Sequence, residues 1–281
     1  MIQTIAVIGA GTMGAGIAQV FAQQGFSTLL FDVNANALNH AKNGICQQFD
    51  ALVAKGKLTE KAASEALQCV RFIADDTQLE ADLFIEAIIE QAAPKRAVFE
   101  KIMERCPNAI FCSNTSSLSI TGLAAGLTQS SRFAGLHFFN PAPVMKLVEI
   151  VRGAATDANV ITALQEICAR IGKTSVVCED APGFIVNRVA RHYYVESLKL
   201  AEEGVASIST TDQLMEAAGF KMGPFKLMDT IGNDINYAVT QSLHQAFQGH
   251  AKFRPSRLQF QKVQAGHLGK KTGKGFYDYS K

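Results

Sequence analysis

No apolar stretch in this chain reaches the ~18 residues that a membrane-spanning helix requires, so a spanning protein is not expected. A surplus of one charge is missing too. The chain has 27 Lys and Arg against 25 Asp and Glu, a formal net charge of +2, and that balance is no footprint for nucleic acid. The six cysteines, Cys46, Cys69, Cys106, Cys112, Cys168 and Cys178, include no C-x-x-C pair. That removes the usual signature of a zinc or redox site and leaves reduced thiols in a cytoplasmic protein, with no metal expected. The opening "MIQTIAVIGAG" lacks the basic start of a signal peptide, and no internal repeat or low-complexity segment stands out.

What is present suits two domains. The 281 residues exceed one average domain, and 48% of them are hydrophobic, ample for a large core. Short β-branched or apolar runs at 4–8, 27–33, 70–74, 81–88, 109–114, 132–139, 146–152 and 174–179 read as strands. Helical stretches from about Asn36, Thr59, Pro94 and Ala158 separate them. Strands spaced by helices predict an α/β fold, a doubly wound, mostly parallel sheet with helices on both faces. Near residue 180 the pattern changes. From about Pro182 the chain reads as helical almost throughout, with breaks at Gly204, Gly219, Gly223-Pro224 and Gly249 and a Gly- and Lys-rich end, "GKKTGKGFYDYS". The expected organisation is an α/β domain over 1–180 and an all-α C-terminal domain over 181–281.

The hexad Gly9-Ala10-Gly11-Thr12-Met13-Gly14 has the form G-x-G-x-x-G, between a predicted strand and a predicted helix. That context makes it a Rossmann-type dinucleotide fingerprint. Gly9 permits the tight turn, Gly11 lets backbone approach a pyrophosphate, and Gly14 lets helix pack close to strand. The helix N-terminus offers unpaired N–H groups to phosphate, with Thr12 and Met13 in the same turn. Asp32 follows 18 residues after Gly14, at the end of the second strand, where a carboxylate can accept hydrogen bonds from both adenosine ribose hydroxyls. It would repel a 2′-phosphate, and no Arg follows in Val33-Asn34-Ala35-Asn36, so NAD is the expected cofactor.

A second signal is a charged group inside each of two apolar runs. In "GLHFFNPAPVMKLVEIV", His137 and Glu149 are symmetric about Pro143. The connection between the runs is too short for a parallel crossover, so the strands should be antiparallel, with His137 opposite Glu149 on one face. A carboxylate beside an imidazole fixes its tautomer and makes it a competent base. A register slip of one residue would put the two on opposite faces and return them to the core.

These residues, with "SNTSS" at 113–117 and "PGFIVNR" at 182–188, resemble the L-3-hydroxyacyl-CoA dehydrogenases, and the resemblance runs from Ile5 to Tyr279. It implies that His137 is the catalytic acid/base and that Glu149 orients it. It implies further that Ser116 contacts the substrate oxygen, that Asn114 lies near the nicotinamide and that Asn187 completes the site. Glu90 and Lys95 would line the NAD site. Gln48 and Lys55 occupy the places where family members hold coenzyme A, although Ser and Lys are more usual there, and "QAAP" between Glu90 and Lys95 departs from the usual charged residues. Read without the resemblance, the Ser/Thr/Asn cluster is also turn chemistry with a helix cap, and Asn187 is also an ordinary solvated helix position.

The reading that results is an NAD-dependent oxidation of a (3S)-3-hydroxyacyl-CoA to the 3-oxoacyl-CoA, in a cleft between the domains. The substrate is short-chain, 3-hydroxybutyryl-CoA, or else 3-hydroxyadipyl-CoA, because "MDTIGNDINYAV" and "FRPSRLQ" look similar to members that oxidise the latter in phenylacetate breakdown. Arg254 or Arg257 would then meet a terminal carboxylate, unless both are plain surface arginines. Rival readings are a dehydrogenase of a free 3-hydroxy acid and a non-catalytic NAD-binding protein. A sister family with a base Lys four residues after a helix-opening Gly is disfavoured, since that place is Asn187. A helical domain of about 100 residues is small to stand alone, which points to a homodimer through it.

Overall fold

The computed structural model describes residues 2–280. The chain divides into two compact units, Met1–Ala181 and Pro182–Lys281.

The first unit alternates strand and helix: β1 (Thr4–Ile8), α1 (Thr12–Gln23), β2 (Ser27–Phe31), α2 (Ala35–Ala54), α3 (Glu60–Gln68), β3 (Val70–Ile73), β4 (Leu83–Glu86), α4 (Ala92–Met103), β5 (Ile110–Ser113), α5 (Ile120–Ala124), β6 (Phe133–Phe138), β7 (Leu147–Arg152), α6 (Ala158–Arg170) and β8 (Thr174–Glu179). One sheet takes all eight strands in the order β3-β2-β1-β4-β5-β6-β7-β8. Neighbours are parallel throughout except β6 and β7, which the short turn between them makes antiparallel. The order reverses between β1 and β4. In doubly wound sheets a ligand binds at such a switch point, outside the carboxyl ends of the strands.

Local chemistry sets several boundaries. Thr59 caps α3 through Ala62 N, as its place in the sequence predicts, and Asn34 caps α2 by accepting from Asn36 N and Ala37 N. Gly25, with φ +78°, ends α1 as expected. The expected strand over 27–33 stops at Phe31, because Asp32 turns back to accept from Asn34 N. Strands are also shorter than expected around Leu83–Glu86.

Strand alternation gives the two faces different contents. Leu83, Ile85, Ile110, Cys112, Ala134, Leu136, Val148 and Ile150 join the main core with α1, α2 and α6. The intervening residues belong to the other face. There Phe84 and Phe111 stack, and Phe99 of α4 meets Phe133 edge to face at 4.7 Å, a pair worth ~0.5–1.5 kcal/mol beyond its buried area. The same alternation puts Glu86, Ser113, His137 and Glu149 on this second face.

The second unit is helical: α7 (Val186–Glu202), α8 (Ile208–Ala217), α9 (Pro224–Ile231), α10 (Asn233–Ala246) and α11 (Arg257–Gln264). Tyr194, Leu198, Phe225 and Met228 form its core. One boundary differs from expectation. The helix expected from Pro182 starts at Val186, because Gly183 (φ +75°) and Phe184 (φ +49°) are left-handed and cannot continue an α-helix. Asn187 therefore lies in the first turn of α7 rather than five residues in. Among the described residues no helix is long and apolar enough to cross a membrane.

Candidate active site

The glycine turn has the geometry that each glycine was expected to supply. Gly9 adopts φ +104°, and a Cβ there would come within 2.8 Å of Ala87 O, where β1 meets β4 at the switch point. A Cβ on Gly14 would lie 1.7 Å from Gly9 O, so the helix could not sit this close to the turn. At Gly11 a Cβ would meet nothing within 4 Å. Packing does not demand that glycine, and the open space beside its backbone is the space a phosphate would use. Gly11 caps α1 without a side-chain hydrogen bond, leaving the first-turn N–H groups for a ligand. Thr12 is exposed and Met13 half-buried at the start of that turn.

Asp32 is held by two backbone amides. Its Oδ2 accepts from Ala10 N at 2.8 Å and its Oδ1 from Asn34 N at 2.9 Å. The carboxylate thus ties the glycine turn to the end of β2, and each oxygen keeps further accepting capacity for a ribose hydroxyl. These residues fit the adenosine diphosphate half of NAD.

His137 and Glu149 stand opposite each other in the β6–β7 ladder, so the register is the expected one. His137 Nδ1 lies 2.8 Å from Glu149 Oε2, with His137 6% and Glu149 1% exposed. A carboxylate accepts only, so Nδ1 carries the proton and Nε2 is the nitrogen with a lone pair for chemistry. The pair can move one proton, with the carboxylate balancing the charge the ring acquires.

A second buried network adjoins the carboxyl ends of β4 and β5. Lys95 Nζ lies 2.6 Å from Glu86 Oε1 and 3.3 Å from Glu90 Oε2. Ser113 Oγ donates to Glu86 Oε2 at 2.7 Å. Burial pushes the Glu86 carboxyl up, against the pull of the Lys95 ammonium and the Ser113 hydroxyl. Glu90 goes the other way. Burial raises it, but hydrogen bonds from Thr115, Ser116 and Ser117 and the Lys95 charge outweigh that and hold it below the ordinary carboxylate value. Thr115 Oγ1 donates to Glu90 Oε1 at 2.6 Å and Ser116 N does so at 3.0 Å. Lys95 is only 1% exposed, so its influence on a ligand runs through Glu90. Asn114 Oδ1 accepts from Phe138 N at 2.8 Å, which fastens this loop beside His137.

The structure therefore gathers Asn114, Ser116, Glu90 and Lys95 around one loop and joins that loop to the strand of His137. Gln48 and Lys55 lie apart on α2, seven residues or about two turns from each other, Gln48 exposed and Lys55 at the helix end. Asn187 belongs to the second unit. Glu86 was missed by the sequence reading, although the signal is the one that exposed Glu149: an acid inside an apolar strand, "LFIE".

Comparison with known proteins agrees with this geometry. The family model "3-hydroxyacyl-CoA dehydrogenase, NAD binding domain" matches residues 4–181, and "3-hydroxyacyl-CoA dehydrogenase, C-terminal domain" matches 183–279. The chain is 48% identical over 281 residues to the 3-hydroxyadipyl-CoA dehydrogenase of Escherichia coli K12, covering 99% of this chain and 59% of that one. It is 41% identical to a 3-hydroxybutyryl-CoA dehydrogenase of Bradyrhizobium diazoefficiens, covering 99% and 96%. The crystal structure of (S)-3-hydroxybutyryl-CoA dehydrogenase from Ralstonia eutropha superposes with a TM-score of 0.95 at 38% identity, covering all of both chains.

Proposed function

The chain belongs to the 3-hydroxyacyl-CoA dehydrogenase family, and from that premise we propose that it oxidises a (3S)-3-hydroxyacyl-CoA to the 3-oxoacyl-CoA with NAD. The observation that carries this reading is the buried His137–Glu149 pair at 2.8 Å, in the same unit as a complete dinucleotide turn. NAD, when bound, supplies the acceptor for the hydride that leaves C3. His137 Nε2 takes the proton of the C3 hydroxyl, and Glu149 holds Nδ1–H and balances the imidazolium. Ser116 and Asn187 are assigned the substrate oxygen, as the resemblance implies. Ser116 is oriented for this by its backbone bond to Glu90. Gly9, Gly11, Thr12, Met13, Gly14 and Asp32 are assigned the adenosine diphosphate half of NAD, and Glu90, Lys95 and Asn114 the nicotinamide side. Gln48 and Lys55 are assigned to coenzyme A.

The acyl group is short, either 3-hydroxybutyryl or 3-hydroxyadipyl. The name of the Escherichia coli relative favours the dicarboxylate, although this chain spans only 59% of that protein's length. Arg254 and Arg257 are both exposed and line one groove with Lys199 and Glu202, which keeps them candidates for the terminal carboxylate. The protein is a homodimer through its second unit, where Leu214, Phe220, Ile235 and Phe260 leave 66%, 50%, 52% and 40% of their surfaces exposed. The balanced charge and scattered free cysteines suit a cytoplasmic protein.

The decisive assay follows NADH loss with acetoacetyl-CoA and with free acetoacetate. Turnover of the thioester alone is expected, and turnover of the free acid alone would overturn the reading. The kcat/KM ratio for 3-hydroxyadipyl-CoA over 3-hydroxybutyryl-CoA, with Arg254→Ala and Arg257→Ala beside the unmodified protein, settles the acyl group. Light scattering at micromolar concentration settles the dimer.

A further inference from the structure

Glu86 is fully enclosed, and both of its oxygens are engaged inside the protein. Its Oε1 accepts from Ile88 N and from Lys95 Nζ, each at 2.6 Å, and its Oε2 accepts from Ser113 Oγ at 2.7 Å. A bound molecule therefore cannot touch it. Stability is a weak reason for it to be there. Glu86 ends the otherwise apolar strand "LFIE", and a buried ion pair can often be replaced by well-packed apolar residues without loss.

What Glu86 does passes through Lys95. That ammonium stands between two carboxylates, 2.6 Å from Glu86 Oε1 and 3.3 Å from Glu90 Oε2. The shorter contact goes to the acid that no ligand meets. Glu90 keeps 39% of its side chain exposed, with its Oε1 held by the Thr115 and Ser117 hydroxyls and by Ser116 N. Two carboxylates against one ammonium leave one net negative charge, and it is presented at Glu90. With an uncharged residue in place of Glu86, Lys95 would neutralise Glu90 and the net charge would vanish.

Strand order shows what that charge faces. The glycine turn follows β1, His137 lies on β6, and β4 and β5 run between them in the sheet. A dinucleotide anchored at the turn and reacting beside His137 must cross the carboxyl ends of β4 and β5, within three strand spacings or roughly 14 Å. Glu86 ends β4 and Ser113 ends β5. The nicotinamide ring is a cation in NAD and neutral in NADH. We propose that Glu86 sets the preference for the oxidised cofactor: by holding Lys95 it leaves Glu90 as an uncompensated negative charge beside the ring. Glu86 is thus a positioning residue, acting through Lys95 and Glu90. A carboxylate then stands behind the positive charge at each end of the reaction, Glu90 while the ring carries it and Glu149 once His137 does. The inference rests on the cofactor assignment above and deepens it, since it names the group that sets which redox state is favoured.

The test is Glu86→Gln, with the Kd for NAD, NADH and ADP-ribose measured by calorimetric titration. Work at pH 8 keeps Glu86 of the unmodified protein ionised, although burial raises its carboxyl. The ratio of Kd for NAD over Kd for NADH should rise about tenfold, the scale of one unit charge acting across roughly 10 Å of protein. ADP-ribose lacks the ring and should bind as before, whereas a merely structural role would weaken all three together. Glu86→Gln combined with Lys95→Met restores one net negative charge and should bring the ratio back. An unchanged ratio in Glu86→Gln, a loss shared with ADP-ribose, or a double variant that keeps the raised ratio would overturn the proposal and leave the dehydrogenase reading intact. Glu86→Met makes the same charge change with a side chain suited to an apolar strand, and it takes the place of Glu86→Gln if that variant does not fold. If neither folds, Glu86 is an architectural acid and the proposal is wrong. Should the unmodified protein bind neither NAD nor NADH, the cofactor assignment itself fails.

Discussion

Both units bury acids completely, and they use them in opposite ways. In the second unit Asp229, 1% exposed, accepts from Phe276 N at 2.9 Å, Tyr277 N at 3.0 Å, Asn233 Nδ2 at 2.8 Å and Tyr279 OH at 3.1 Å. A Cβ at Gly275 would come within 2.0 Å of its Oδ1. Asp212 accepts from Phe225 N, Lys226 N and Tyr277 OH. Burial, with Asp212 close by, pushes the Tyr277 hydroxyl up. These carboxylates are saturated by backbone amides and phenols, and what they achieve is to fasten the C-terminal loop "GKGFYDY" to α9. In the first unit Glu149 engages one nitrogen of a histidine, and Glu86 engages a lysine and a serine that lead on to Glu90. The partners there are groups with chemistry of their own, at the carboxyl ends of parallel strands. A buried acid in an apolar run therefore signals that something is being held, and the donors it holds tell whether the purpose is architecture or a site.

Substitution can sharpen that contrast. The largest effect is expected at His137→Gln, which should lower kcat by ~10²–10⁴-fold, the range for loss of a general base, with the urea midpoint nearly unchanged. If its stability fell as steeply as its activity, His137 would belong with Asp229 as an architectural residue. Asp229→Ala is the mirror case. It leaves several buried donors unpaired and should cost about 3 kcal/mol or more in urea unfolding, with proteolysis of the C-terminal loop as an independent reading. A stable Asp229→Ala protein would break the comparison from the other side.

Asp32→Ala comes next. It removes a ribose acceptor and loosens the turn at Ala10, so NAD should bind roughly tenfold more weakly by fluorescence titration, and the preference over NADP should narrow. Equal use of both cofactors by the unmodified protein would show that Asp32 serves only the turn.

The smallest effect concerns pH. The folded value of Glu90 lies below its ordinary 4.5, so its carboxylate stabilises the fold above that value, and the contribution is lost as pH falls through the folded value. Against the unmodified protein, Glu90→Gln should be less stable at pH 6 and should converge with it as the pH falls from 4.5 through the lowered folded value. A constant difference across that range would mean that the charge of Glu90 is not what its hydroxyl partners recognise.

Much of the first unit was legible because its rules are local. Gly9 must take a positive φ and Gly14 must admit a close helix. Thr59 caps the residues that follow it, and a six-residue link can only return antiparallel, which brought His137 opposite Glu149 without any structure. The start of α7 was misjudged because Pro182 suits a first helical turn, whereas the left-handed pair Gly183–Phe184 that delays the helix leaves no mark in hydrophobic periodicity.

The sequence by itself determined the strand–helix alternation, the dinucleotide turn and the histidine–glutamate register, since each depends on residues within about one element of another. Only the tertiary structure decided the rest. It joined Glu86 to Ser113 across 27 residues and Asp229 to Tyr277 across 48. The physical reason is that a buried polar group is stable only with partners, and its partners are chosen by how strands and helices stack. Distance along the chain does not record that stacking.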